Sequence, residues 1–189
     1  MASQKIIDRR NAVKKASLML GFAVSGPALT GVLNGCTARK TIDWQPLIFS
    51  ENEAMLVEAA SSRILPSGET PGASDAGVAP FIDEMVAEYY LPRDQQRFQT
   101  GLQQLDPLSN EIVSRNFANA SESEQDQVLK ELTKRSDLQP FFLMLKELTV
   151  LGFFTSEVGA TQFLNFDEIP GGFLGCESLE SLGGKTWAT

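Results

Sequence analysis

From residue 50 onward the apolar residues of this 189-residue chain recur at helical spacing almost everywhere. Ser50 with Glu53 three residues later is a capping-box pair. Met55, Leu56, Ala59, Ala60 and Ile64 then share one broad face until Pro66-Ser67-Gly68 ends the helix. Glu69-Thr70-Pro71-Gly72-Ala73 is a turn-rich connection, after which Ser74 or Asp75 is placed to cap the next helix. In that helix Val78, Phe81, Ile82, Met85, Val86, Tyr89 and Tyr90 give the clearest amphipathic pattern in the chain. Pro92 interrupts it. Phe98, Leu102 and Leu105 form the next stripe, which is expected to break at Asp106-Pro107 because the residue before a proline is pushed out of the helical region. Ser109 to Phe117 is read as a further short helix. Ser121-Glu122-Ser123-Glu124 repeats the capping-box spacing and opens a helix with Val128, Leu129 and Leu132 inward.

Residues 138–154, LQPFFLMLKELTVLGFF, break the rule of one apolar face: only Lys146 and Glu147 are charged. A helix apolar on every side is buried in a core or pressed against a partner. Beyond residue 164 the character changes, with Pro170-Gly171-Gly172, Gly175, Gly183-Gly184 and the aromatic residues Phe173 and Trp187. No period-two alternation between hairpin turns and no solenoid repeat interrupts the helical reading. The expected fold is an all-α bundle of five to seven helices over residues 50–164, with an extended Gly/Pro-rich arm over residues 165–189.

The first 35 residues are of another kind. Lys5, Arg9, Arg10, Lys14 and Lys15 stand against the single acid Asp8, and residues 16–35 carry no charge. A basic stretch followed by an apolar one is the layout of an export signal. The uncharged run is long enough to cross a membrane, so a cleaved signal and a retained anchor are both compatible with it, although its glycines and Pro27 weaken the second. Asp8-Arg9-Arg10-Asn11-Ala12-Val13-Lys14 resembles the twin-arginine export motif in its paired arginines and Lys14, and departs from it at Asp8 and Ala12. The run ends in Leu33-Asn34-Gly35-Cys36, which resembles a bacterial lipobox except at Asn34. Cys36 is read as a lipidation site, its alternative being a small apolar residue in an anchor. Residues 36–49 are read as a tether.

Charge then narrows the function. The whole chain carries −8, and residues 36–189 retain 11 basic and 23 acidic residues, a net −12. Nucleic-acid affinity depends on Lys and Arg neutralising phosphates, so nucleic acid is not an expected partner. The chain has no histidine. That removes the commonest general acid/base, Ser-His and Cys-His nucleophile pairs, His-ligated zinc and copper, and CxxCH haem attachment. Lys146 is expected at the surface or paired with a carboxylate. Thr155 or Ser156 is expected to cap a short last helix with Glu157 in its first turn. Glu53, Asp83, Glu84 and Glu88 are expected mostly as solvated surface. Cys176 is either a free buried thiol or half of an intermolecular disulfide. Phe173 and Trp187 either anchor a partner or pack back on the bundle.

Together the motifs resemble one known family. Leu65-Pro66, Thr70-Pro71-Gly72-Ala73, and Ala76-Gly77-Val78 with Phe81-Ile82-Asp83 come first. Then Phe141, Leu145-Lys146, Leu148-Thr149 and Gly152-Phe153-Phe154-Thr155-Ser156-Glu157 with Gly159, and Pro170-Gly171, Phe173 and Gly175-Cys176, complete a resemblance to the gluconate 2-dehydrogenase subunit 3 family over roughly residues 50 to 177. The resemblance implies a small, non-catalytic subunit of a periplasmic, membrane-associated sugar or polyol dehydrogenase, and the lipidation site read at Cys36 would hold it at the membrane. It implies that FAD lies in a large catalytic subunit of the glucose-methanol-choline class, that a cytochrome c takes the electrons, and that this chain binds no cofactor or metal itself. Partner contacts are expected from Phe141, Phe142, Phe153, Phe154, Phe173, Cys176 and Trp187. A free-standing acidic periplasmic lipoprotein that binds a ligand through its helical bundle is the alternative.

Overall fold

The computed structural model describes residues 42–169, 171–172 and 176–188. The expected export segment 1–35 with Arg9 and Arg10, together with Cys36 and Phe173, lies outside the described residues. Among the described residues seven α-helices follow one another: α1 (Glu51–Ile64), α2 (Val78–Glu84), α3 (Pro92–Gln103), α4 (Leu105–Val113), α5 (Glu122–Leu132), α6 (Gln139–Thr155) and α7 (Glu157–Phe163). A π-helical turn (Met85–Tyr89) continues α2, and a 3-10 turn (Phe117–Asn119) precedes α5. The all-α expectation holds among the described residues.

Local chemistry sets the boundaries. Ser50 and Ser121 each accept from the backbone N–H three residues on, while Glu53 and Glu124 reach back to the cap backbone, so α1 and α5 start where their capping boxes place them. Neither Ser74 nor Asp75 caps α2. Its N-cap is Gly77, at φ +64, a left-handed conformation that a glycine adopts without a Cβ penalty. Ser74 instead donates to Glu58 (2.6 Å), and Asp75 accepts from Gly72 N–H (2.8 Å) and the Ser67 hydroxyl, closing the connection onto itself. The break expected at Asp106-Pro107 falls earlier, at Gln104. Pro107 sits in the first turn of α4, where its missing N–H has no helical partner to lose. Asp106 is then free to accept from Phe117 N–H (2.8 Å), and the chain leaves α4 through Ser114 at φ +56.

The π turn corrects the α2 stripe. Val78, Ile82 and Val86 are fully buried as the pattern requires, but the widened turn carries its last residue and the next one out of register. Tyr89 is 69% exposed and Tyr90 is half-buried. Gln95 of α3 donates to the carbonyls of Val86 and Ala87 (2.9 and 3.0 Å), satisfying the end of the turn. The core joins Val57, Ile82, Phe98, Leu102, Leu105, Phe117, Leu132, Phe141 and Leu145. Arg63 ties α1 to α5 through Glu122 and Asp126, both at 2.8 Å.

Two expected margins differ. Within the expected tether, Ile42, Trp44, Ile48 and Phe49 pack on the core, because Asp83 holds this stretch down. Its carboxylate is buried and accepts from the N–H groups of Leu47, Ile48 (3.2 Å) and Phe49 (3.1 Å). Asp83 is thus a clamp and no part of a solvated surface. The described tail is not a free extended arm either. Asn165 and Trp187 form a parallel bridge, and the Asn165 amide donates to the carbonyls of Leu182 and Lys185 (2.9 and 2.8 Å). Between them residues 179–184 close in a Schellman turn: Gly184 N–H donates to Leu179 O, Gly183 N–H to Glu180 O, and Gly183 lies at φ +70.

Candidate functional site

The chemically distinctive element is α6. It starts with Pro140 in its first turn and stops at Ser156, whose extended backbone leaves the helix. Ser156, of the two candidates, caps α7: its hydroxyl accepts from Gly159 N–H (3.0 Å) and donates to Phe153 O (2.6 Å). Thr155 donates to Leu151 O (2.8 Å). Both hydroxyls are engaged with the backbone, and Glu157 and Lys146 are exposed, so these residues do not assemble a nucleophile with a base.

One face of α6 is consumed by the bundle. Phe141, Leu145, Leu148, Thr149, Gly152 and Phe153 are buried. Phe141 lies edge-on to Phe98 (centroids 5.2 Å apart) and so close to Gly101 that a Cβ there would overlap it. Gly152 admits the ring of Phe81 from α2; a Cβ at Gly152 would stand 2.5 Å from that ring. Phe153 stacks edge-on with Phe163 of α7 (5.1 Å). Phe141 and Phe153, expected at a partner interface, are therefore core residues. They are 2% and 3% exposed, and a partner has almost nothing of them to touch. Phe142 is half-buried against the core.

The opposite face is apolar too, and among the described residues nothing covers it. Leu143, Val150, Leu151 and Phe154 are exposed by 55, 36, 43 and 37%. Exposed Lys146 and Glu147 lie among them, and neither makes an ion pair with another described residue. Of the expected contact residues only Phe154 belongs to this face. Leu143, Val150 and Leu151 were not expected there. Once Phe141 is set inward, the 3.6-residue period sends Leu145, Leu148 and Gly152 inward as well and leaves this set outside. In the tail Trp187 is half exposed, and Cys176 is a free, exposed thiol, which removes the buried-thiol alternative.

Elsewhere single apolar side chains such as Leu47, Leu91 and Ile169 are also exposed, amid polar surface. A groove of about 300 Å³ between α3 and the start of α6 is lined by Arg93, Gln96, Arg97, Thr100, Asp137 and Phe141. Arg93 and Arg97 both pair with Asp94 beside it. The Tyr90 hydroxyl is pushed above its ordinary pKa by burial, then by the carboxylates of Glu147 and Asp94. Glu53 and Asp83 serve the α1 cap and the clamp separately, while Glu84 and Glu88 are exposed, so the four carboxylates form no catalytic pair. Among the described residues no group of three or more Cys, Asp or Glu is placed to hold a metal ion, and no helix is long and apolar enough to cross a membrane.

The family model described as gluconate 2-dehydrogenase subunit 3 matches residues 51–171, from the first residue of α1 past the end of α7. No curated protein and no solved structure matches the chain.

Proposed function

Since the chain belongs to the gluconate 2-dehydrogenase subunit 3 family, the small subunits of dehydrogenase complexes, we propose that it escorts, anchors and stabilises a periplasmic flavin-dependent sugar or polyol dehydrogenase without taking part in the chemistry. FAD and the reacting sugar belong to a large subunit of the glucose-methanol-choline class, and a cytochrome c receives the electrons. Arg9 and Arg10 direct export of the folded pair, and Cys36 carries the lipid that holds it at the membrane. A chain with no histidine is suited to support and poorly suited to proton transfer.

The observation that carries this reading is the uncovered apolar face of α6. Large apolar surface of this kind marks an interaction site on an otherwise ordinary soluble domain. Exposed Trp187 and Cys176 in the tail add further contact points of the type an interface uses. Expressed with its flavoprotein large subunit, the chain should co-purify with flavin and with sugar-oxidising activity. Expressed alone, it should bind no flavin and oxidise no sugar, and sugar oxidation by the isolated chain would overturn the proposal.

A further inference from the structure

The exposed face of α6 has a definite spacing. Leu143, Glu147, Val150 and Phe154 follow one another by steps of four, three and four, and at 100° per residue they fall within an arc of about 60°. Leu151 widens the arc on one side. Alternating steps of three and four make a stripe nearly parallel to the helix axis, the seam along which two helices pack at a shallow angle of about 20°. From Leu143 to Phe154 the seam runs about 16 Å, three turns of helix.

The backbone of α6 selects the same form of occupant. Its N–H and C=O groups are spent within the helix, so the seam offers no strand edge for an extended segment to join. An extended peptide laid here would bury main-chain groups without partners, whereas a helix satisfies its own. Charge narrows the choice further. Glu147 lies in the middle of the seam, and a helix seated on it would strip the carboxylate of water, which is costly unless a cation comes with the helix. Residues 36–189 carry a net −12, so a second copy of the chain would bring a strongly acidic body against its like, while a basic partner surface is attracted.

Resting on the reading of this chain as a dehydrogenase small subunit, we propose that the Leu143–Phe154 seam of α6 receives an α-helix of the catalytic subunit, packed nearly along the α6 axis, with an Arg or Lys of that helix paired to Glu147. Leu143, Val150 and Phe154 supply the apolar contacts, Glu147 fixes the register, and Lys146 stays at the rim.

The test uses the full chain co-expressed with its catalytic subunit. Photocrosslinking residues are placed singly at positions 143, 150 and 154, and dissociation constants are measured for Val150→Glu, Leu143→Glu, Glu147→Lys and Glu51→Lys. Glu51 is exposed in the first turn of α1 and gives the same charge change away from the seam. The crosslinks should fall on one segment of the catalytic subunit at helical spacing, about seven residues apart for positions 143 and 150 and about three or four apart for 150 and 154. Val150→Glu and Leu143→Glu should each weaken the complex about 30-fold or more, a hot-spot effect. Glu147→Lys should weaken it about tenfold and Glu51→Lys should leave it unchanged, with helical circular dichroism preserved in all four. Crosslinks two residues apart, crosslinks to a second copy of this chain, or equal effects of Glu147→Lys and Glu51→Lys would overturn the proposal. If the complex forms and ignores every seam variant, this inference alone falls. If no catalytic subunit co-purifies with the unaltered chain, the subunit reading falls first.

Discussion

On its inner side α6 sets Phe141, Leu145, Leu148 and Phe153 among α2, α3 and α7, whereas on its outer side Leu143, Val150, Leu151 and Phe154 face solvent. The residue types are nearly the same on the two sides. What differs is the neighbourhood: two glycines, Gly101 on α3 and Gly152 on α6 itself, let the inner contacts close, while the outer side chains stay 36–55% exposed. Apolar burial is worth about 25 cal/mol per Å² only where water is excluded. The inner face therefore contributes to folding, and under the proposed reading the outer face contributes to association. A helix apolar all round thus carries two separate demands, and the bundle meets one of them.

Truncating a side chain on each face in turn separates the two roles most strongly. Leu145→Ala should destabilise the folded chain by about 2–5 kcal/mol, because the site is fully enclosed and leaves a cavity. Leu151→Ala should cost far less, about 1 kcal/mol or below, because 43% of the residue already faces water. Urea unfolding followed by circular dichroism measures both. Similar losses from the two variants would mean that the outer face is packed in solution, and the distinction between the faces would fail.

Much of the bundle was legible in the sequence because its signals are local. Two capping boxes fix the starts of α1 and α5, and the stripe Phe98-Leu102-Leu105 is buried as its spacing requires. The misreadings share a cause of longer range. Tyr89 turned outward because a π turn changes the period, a change that depends on Gln95 reaching back from the next helix. Asp83 reads as a surface acid on its own helix, and its role appears only when residues 47–49 fold across it. Asn165 and Trp187 are 22 residues apart in sequence and nothing between them announces the bridge. At the site, composition identified α6, but it could not divide Phe141 and Phe153 from Leu143 and Val150. That division depends on which side the bundle occupies.

A smaller effect, outside α6, completes the contrast. Ser50→Ala removes the α1 cap and should cost about 1 kcal/mol at neutral pH while leaving partner binding intact. Burial pushes the Glu53 carboxyl up, but the hydrogen bonds from Ser50 and Gln103 outweigh it and hold the group below its ordinary value of 4.5. A carboxyl lowered on folding contributes stability that is complete above its unfolded pKa and is lost as pH falls through its folded one. The Arg63 hydrogen bond lowers Asp126 in the same sense. Stability should therefore be level between about pH 5 and 8, where the chain has no histidine to titrate, and should fall below about pH 4. Thermal unfolding across that range checks the sign, and a loss of stability near pH 6 would contradict it.

Whether the outer face of α6 is an interface is decided by the solvent accessibility of position 150 before and after assembly. A Val150→Cys variant of the full chain would be exposed to a thiol reagent alone and in complex with the catalytic subunit, and labelling scored peptide by peptide so that Cys176 is counted separately. Position 150 should label rapidly in the isolated chain and be strongly protected in the complex. Equal labelling in the two states would contradict the assignment, because the outer face of α6 would then remain in water after the dehydrogenase is assembled.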